Sequence, residues 1–344
     1  MAAAQSLTRN IDRLTAFTNE TILPGVKHLQ FQNDPAAWIF LGDTIDPQYG
    51  GGMPMQGAGK RTFSGSTIIQ LSHAVESSSS AKNMAGPWDT FDTTPQDFVR
   101  RSEANLKHYS ATITLSLTDE LANRGPEVVA NQMTEEVRNR MGLLLNMCVG
   151  NVYSGALAAQ VTGLDSLIGA NSSVQGLSGA TYSVWNSRGL SARGTAAGSV
   201  SFTGGSFATR GISDFITAYN NATEGMRAPN VILTTWDVHA FYENKLVQFE
   251  RYAAPTASTT GNVAFGGLAF RKAQVLASPS ATSGVAYFVN TDTLYSMFLS
   301  GADFTAQPFV QATQQEAKTS ELVAKFQMVV EDRRLNNKIS GITA

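Results

Sequence analysis

The chain has 344 residues, 42% of them hydrophobic, and a formal net charge of −2. That length exceeds the ~250–300 residues at which single cores stop growing, so two lobes are expected, and near-neutrality leaves no basic field to draw nucleic acid or anionic lipid from a distance. No apolar run reaches the ~20 residues of a membrane span, the opening MAAAQSLTRNIDRL lacks a secretory signal pattern, and the single cysteine, Cys148, excludes an intrachain disulfide and fits a reducing cytoplasm.

Charged residues make up 15% of the chain, against roughly 25% in an ordinary soluble domain. Small polar residues, alanine and glycine replace them. Such a surface suits extensive contact with other proteins, because charge is depleted from interface cores.

Residues 1 to about 60 read as an arm. One amphipathic helix is expected over Gln5–Asn19, with Leu7, Ile11, Leu14 and Phe17 at helical spacing. Pro24, Pro35, Pro47, Pro54 and Gly50-Gly51-Gly52 then punctuate an extended path. It lies either on another molecule or on its own lobe.

From Thr62 to Thr118 the pattern is a long hairpin. Ile69, Leu71 and Val75 alternate on the outgoing side, and Tyr109, Ala111, Ile113, Leu115 and Leu117 alternate with hydroxyl residues on the return. The polar tip between them carries Trp88 and Phe91, costly to expose unless a neighbour covers them. A helix follows from Gly125-Pro126-Glu127 to about Gly155, its apolar stripe running from Val129 to Val152; thirty residues make a rod of about 45 Å. The Gly/Ser/Asn-rich stretch Gly163–Gly205 is irregular, with Trp185 as its aromatic anchor.

An α/β lobe comes next. Helices are predicted over Arg210–Glu224 and Thr235–Leu246, and strands at Val231–Leu233, Phe265–Ala277 and Val285–Val289. Leu322, Ala324, Phe326, Met328 and Val330 form one face of a long final strand that ends in Arg333-Arg334.

Chemistry-bearing patterns are sparse. His28, His73, His108 and His239 are far apart, with no zinc-binding spacing, so neither a metal nor a cofactor is expected. Cys148 sits on the apolar stripe of the long helix as a small hydrophobe. Gly57-Ala58-Gly59-Lys60-Arg61 fails as a phosphate loop, with Pro54 where the first glycine belongs and Arg61 where a Ser or Thr must reach magnesium. Ser79-Ser80-Ala81-Lys82 lacks its companion Lys-Thr-Gly. The basic pairs Arg100-Arg101 and Arg333-Arg334 stand beside acidic residues, which supports salt bridges or a weak touch on DNA, not sequence recognition. No enzymatic activity is expected.

The order of elements resembles the major capsid proteins of tailed bacteriophages of the Hong Kong 97 type. The sharpest local matches are Gly163-Leu164 with Trp185-Asn186, Tyr287 to Thr291, and Arg333-Arg334 with Gly341-Ile342. The resemblance implies an α+β fold divided into an N-terminal arm (1–61), an extended loop (62–118), a peripheral-domain spine helix (119–162), an axial domain (163–305) and peripheral C-terminal strands (306–344). It places the peripheral sheet on Tyr109–Leu117 and Leu322–Arg334. It implies a coat subunit assembling with itself as pentamers and hexamers around double-stranded DNA. A scaffolding protein, a portal and decoration proteins would be partners, and the virion, assembled in the host cytoplasm, its location. Contacts between subunits are expected at Trp88, Phe91, Arg100, Arg101, Trp185, Arg333 and Arg334. The chain departs from the type member in having no long prodomain before the arm and no alignable lysine–asparagine cross-link, although Lys60, Lys82 and Lys107 lie around the hairpin. A nanocompartment shell of the encapsulin kind has the same fold and is the alternative; a hydrolase with an unfamiliar site is the second.

Overall fold

The computed structural model describes residues 34–42, 57–75, 83–84, 86–90, 97–118, 132–169, 172–187, 200–201, 207–250, 268–311 and 316–343. The Gln5–Asn19 helix, most of the 1–61 arm, residues 119–131, Phe91 and most of the hairpin tip lie outside them.

In chain order, β1 (Lys60–Phe63), β2 (Ile68–Ala74), β3 (Val99–Asn105) and β4 (Lys107–Ser116) precede helix α1 (Gln132–Ser154). Short strands β5 (Ser173–Val174), β6 (Leu177–Ser178) and β7 (Val200–Ser201) lead to α2 (Phe207–Asn221), β8 (Val231–Thr234) and α3 (Trp236–Glu250). Then come β9 (Ala269–Phe270), β10 (Ala273–Ala277), β11 (Ala286–Val289), β12 (Leu294–Leu299), β13 (Thr305–Ala306) and β14 (Val310–Gln311). β15 (Ala317–Val330) and β16 (Asn337–Ser340) complete the series.

β15 is the axis of the first sheet. Along one edge it pairs in turn with β12, β13 and β14; along the other it pairs with β4 from Ala317↔Ser116 to Phe326↔Lys107. β1 runs parallel to β12 at the sheet's edge. The alternation read in Tyr109–Leu117 and Leu322–Val330 therefore describes two strands of one sheet. Their inward residues Tyr109, Ile113, Leu115, Leu322, Ala324 and Phe326 pack with Leu144, Leu145, Cys148 and Val152 of α1. Tyr109 Oη also accepts hydrogen bonds from Asn151 Nδ2 at 3.3 Å and Val161 N at 2.8 Å, fixing the helix end over the strand.

The hairpin is shorter than its sequence pattern suggested. β2 pairs with β3, from Ile68↔Asn105 to Ala74↔Val99, and the chain turns at Leu106 into the first sheet. Tyr109–Leu117 is thus not its return strand. Strand β3, VRRSEAN, carries too few apolar residues to announce itself; it is held by cross-strand pairing and by burial of Ser102 and Ala104. The hairpin's inner face is covered by its own chain, where Ile69, Ala104 and Leu106 pack on Tyr295 and Val329. That contact is why Phe326–Val330 of β15 is buried on both faces.

The second sheet runs β7-β16-β11-β8-β10-β9, with β8 and β10 parallel and β11 antiparallel to β8. Helices α2 and α3 cover one face through Ile232, Val275, Ala286 and Phe288. The other face, with Val231, Leu233, Tyr287 and Val289, joins the core shared with α1 and β15. A strand buried on both faces reads as an unbroken apolar run, as Val231-Ile232-Leu233 does. The chain after residue 306 does not stay with the first sheet. β15 stops at Val330, Arg333–Leu335 forms a 3-10 turn capped by Asp332, and β16 pairs with β11 in the second sheet.

Of the arm, residues 34–42 lie on their own lobe: Ala37–Leu41 is one buried turn of π-helix in the main core. Asp34 ties it down, its carboxylate accepting from Ala36 N at 2.9 Å, Tyr153 Oη at 3.3 Å and Ser278 Oγ at 2.5 Å.

Two glycines close the turn after α1. A Cβ on Gly155 would stand 2.2 Å from Val161 O, and one on Gly163 would stand 2.6 Å from Gly155 N. Gly163→Ala is expected to cost about 1–3 kcal/mol through overpacking, read as a lower urea midpoint.

Candidate assembly surfaces

The irregular stretch after α1 is a junction built around Arg333. Its side chain is fully buried, and its guanidinium donates to Leu167 O at 2.8 Å, Gly169 O at 2.7 Å, and Ser172 O and Oγ at 3.4 and 2.9 Å. No carboxylate among the described residues pairs with it, and burial lowers its pKa to about 10, which leaves it charged at neutral pH. Ser187 Oγ donates back to Arg333 O at 3.0 Å. The fork of an arginine can satisfy several converging carbonyls at once, which a lysine cannot. One turn further on, Asn336 donates from Nδ2 to Asp332 O and Thr293 Oγ1, and its Oδ1 accepts from Asn290 N at 2.9 Å, joining β11 to the end of β15.

Three contacts hold the β2–β3 hairpin to this junction. Gln175, at a positive φ of 52° between β5 and β6, accepts from Glu103 N at 2.8 Å through its carbonyl. Its side-chain amide, oriented to satisfy both groups, donates to Val330 O at 3.0 Å and accepts from Val330 N at 2.9 Å. Tyr182 Oη accepts from Arg100 Nε at 3.0 Å. The ring of Trp185 lies 4.6 Å from that of His73, whose Nε2 is 2.8 Å from Ser102 Oγ.

The residues expected at contacts between copies therefore divide. Trp185 and Arg333, anticipated on a contact surface, are buried inside their own chain, where they fix the junction. Arg100 binds Asp97 at 2.5 Å as well as Tyr182, Arg101 pairs with Glu103, and Arg334 pairs with Asp332 at 2.8 Å. In the connection between β2 and β3, Trp88 is 94% exposed, and Met84, Phe98 and, at the start of β3, Val99 are exposed too. Phe91 is outside the described residues. Sequence reading missed Asp34, Gln175 and Asn336, since a buried amide or carboxylate leaves no periodic signal.

Among the described residues no three His, Cys, Asp or Glu side chains converge on a point. The Cys148 thiol is buried and its pKa pushed up to about 12, far from a reactive thiolate. Lys60, from the failed phosphate loop, pairs with Asp303 at 2.7 Å, while Arg61 stacks on Tyr295 and binds Glu331.

The fold is that of tailed-phage capsid proteins. The chain superposes on the cyanophage A-1(L) capsid asymmetric unit with a TM-score of 0.59 and 14% identity, covering 96% of this chain and 99% of that one. A structure from Mycobacterium phage Bobi matches with a TM-score of 0.56 and 10% identity, over 95% and 96% of the two chains. The holo-SrpI encapsulin complex from Synechococcus elongatus PCC 7942 matches at 0.54 and 8%, over 96% and 95%. No protein-family model matches the sequence. No curated protein matches it either.

Arg333→Met should cost roughly 3 kcal/mol or more in urea unfolding, at about 1–3 kcal/mol for each buried carbonyl left without a donor; Arg333→Lys should recover little of it. His73 tests the hairpin contact. Burial lowers its pKa below 6.5, and Glu331 and Asp332 offset part of that. A base with a depressed folded pKa contributes stability that is fully present above 6.5 and is lost as pH falls through the lower folded value. His73→Gln should flatten this acid-side decline in the urea midpoint.

Proposed function

We propose that this chain is a major capsid protein, a coat subunit that assembles as pentamers and hexamers into an icosahedral phage head enclosing double-stranded DNA. One observation carries the reading: the correspondence with a capsid subunit runs through 96% of this chain and 99% of that one, not through a single shared lobe. The charge-poor composition and the exposed Trp88, Met84, Phe98 and Val99 in the stretch that joins β2 to β3 support it. A 94%-exposed tryptophan is costly on a solitary molecule and natural on a surface that a sister copy covers.

In this reading the β2–β3 hairpin is the extended loop that reaches a neighbouring subunit. The first sheet with α1 is the peripheral domain, and the second sheet with α2 and α3 is the axial domain, to which β16 returns. Trp88 and Phe91 make the principal apolar contacts, while Arg100, Arg101 and Arg334 contribute at the rim. A scaffolding protein and a portal assist assembly, decoration proteins reinforce the shell, DNA is touched weakly and without sequence preference, and the product is the virion, built in the host cytoplasm. The chain acts by geometry and not by catalysis.

A nanocompartment shell is the second reading, favoured by the match to the encapsulin complex over 96% of this chain. Electron microscopy of the expressed protein tests assembly: closed particles or capsomers are expected, and a solitary monomer at high concentration overturns both readings. Particles formed in the native host separate the two by their contents, nuclease-protected DNA against a cargo enzyme.

Trp88→Ala is expected to change subunit stability by less than about 0.5 kcal/mol, and deletion of residues 77–96 to leave the fold intact. Both should sharply reduce particle yield in sedimentation. Normal shells from the deletion would remove the hairpin from the assembly mechanism.

A further inference from the structure

The second sheet carries exposed apolar side chains at both ends of β8. Before the strand, Glu224 and Arg227 exchange backbone hydrogen bonds of 2.8 and 3.0 Å, with Gly225 at a φ of 58° completing a tight turn. Its tip is Met226, 100% exposed. The turn is held at the N-terminal end of β8, where Asn290 Nδ2 donates to Ala228 O and Asn230 N donates to Val289 O, both at 3.0 Å. Just past the other end of the strand, α3 begins with Trp236, 63% exposed. Trp236, His239, Ala240 and Glu243 recur at helical spacing and so share one face of α3. The rings of Trp236 and His239 lie 6.1 Å apart on it. The strand between, about 13 Å long, keeps the turn and this face from meeting within one molecule.

We propose that they meet between copies: the Met226 turn of one subunit seats on the Trp236 face of the next. The proposal rests on the coat-subunit reading and names one surface through which its copies join. A polarisable thioether suits an aromatic face, and a tight turn presents it without the cost of ordering a loop. Charge selects the same pairing. Arg227 stands exposed beside Met226, while Glu224, at the other side of the turn, acts on Arg334 of its own chain. On the receiving side, Glu243 lies on the Trp236 face with Asp237 next to it, and both are exposed. Arg227 of one copy thus comes opposite a carboxylate of the next. Because the turn and the helix face lie at opposite ends of β8, a copy that gives its turn to one neighbour keeps its helix face open to another. The contact is head-to-tail, and such a series closes into a ring when the rotation between copies divides a full circle.

The test uses the full-length protein under assembly conditions, carrying Met226→Cys or Ala240→Cys. Ala240 is exposed on the Trp236 face, and native Cys148 is buried. On mild oxidation neither single variant should form a disulfide-linked dimer, whereas their mixture should. The double variant should give a ladder that passes beyond two chains. Arg227→Glu and Glu243→Arg should each lower particle yield roughly tenfold or more through like-charge contact. Combining the two should restore the yield, which a local effect on folding would not do. A dimer from either single variant, a ladder that stops at two chains, or no rescue by the combined swap overturns the head-to-tail contact. Shells that form without the cross-link overturn this contact and leave the coat-subunit reading standing. A chain that stays monomeric at high concentration overturns both.

Discussion

The guanidinium of Arg333, buried with carbonyl oxygens for partners in place of a carboxylate, fixes how the main parts of this fold meet. It follows directly on β15, the strand around which the first sheet is built, and it grips the turn leading out of α1. Helix, sheet and junction cannot shift independently while those hydrogen bonds hold. The neighbouring bonds from Gln175 and Tyr182 extend the same rigidity to the root of the hairpin. A buried cation without a counter-ion persists only where every donor is satisfied, so the carbonyls of 167–172 are as necessary as the arginine.

The second consequence concerns which faces are left open. The second sheet is covered on both faces, by α2 and α3 on one side and by the α1–β15 core on the other. The hairpin covers the end of β15 with its inner face, while Val99 at the start of β3 and Trp88 in the connection between β2 and β3 are exposed. Exposed apolar side chains occur on the hairpin and its connection, and also at Leu157, Met226, Trp236 and Val310.

Much of this was legible in the sequence. Val231-Ile232-Leu233 reads as a strand buried on both sides, Tyr109–Leu117 and Leu322–Val330 as half-buried strands, and the α1 stripe through Met141, Leu145, Cys148 and Val152 as a core helix, all because apolar periodicity reports burial directly. The hairpin's pairing was not legible. The alternation of Tyr109–Leu117 is stronger than that of VRRSEAN, so the pattern pointed to the wrong return strand. Trp185 and Arg333 were expected outside, because a tryptophan in a glycine-rich stretch and an arginine pair near the end of a strand look alike whether exposed or enclosed. Arg333 is held by carbonyls more than a hundred residues away in the chain and Trp185 lies against the ring of His73, contacts that no local window contains. The same holds for the Asp34 contacts with Tyr153 and Ser278.

The placement of β15 also bears on the order in which the protein can form. Among the described residues β4 finds its one strand partner in β15, about two hundred positions further along. During synthesis β4 must wait until residues 317–326 have been made, and β12, which can already pair with β1, gains its β15 partner only with residues 326–330. Sheets closed by so distant a partner form slowly and expose aggregation-prone edges meanwhile. A nascent chain of this kind has reason to engage a chaperone, and a truncation that spares everything up to Gln311 would still leave the first sheet without its keystone.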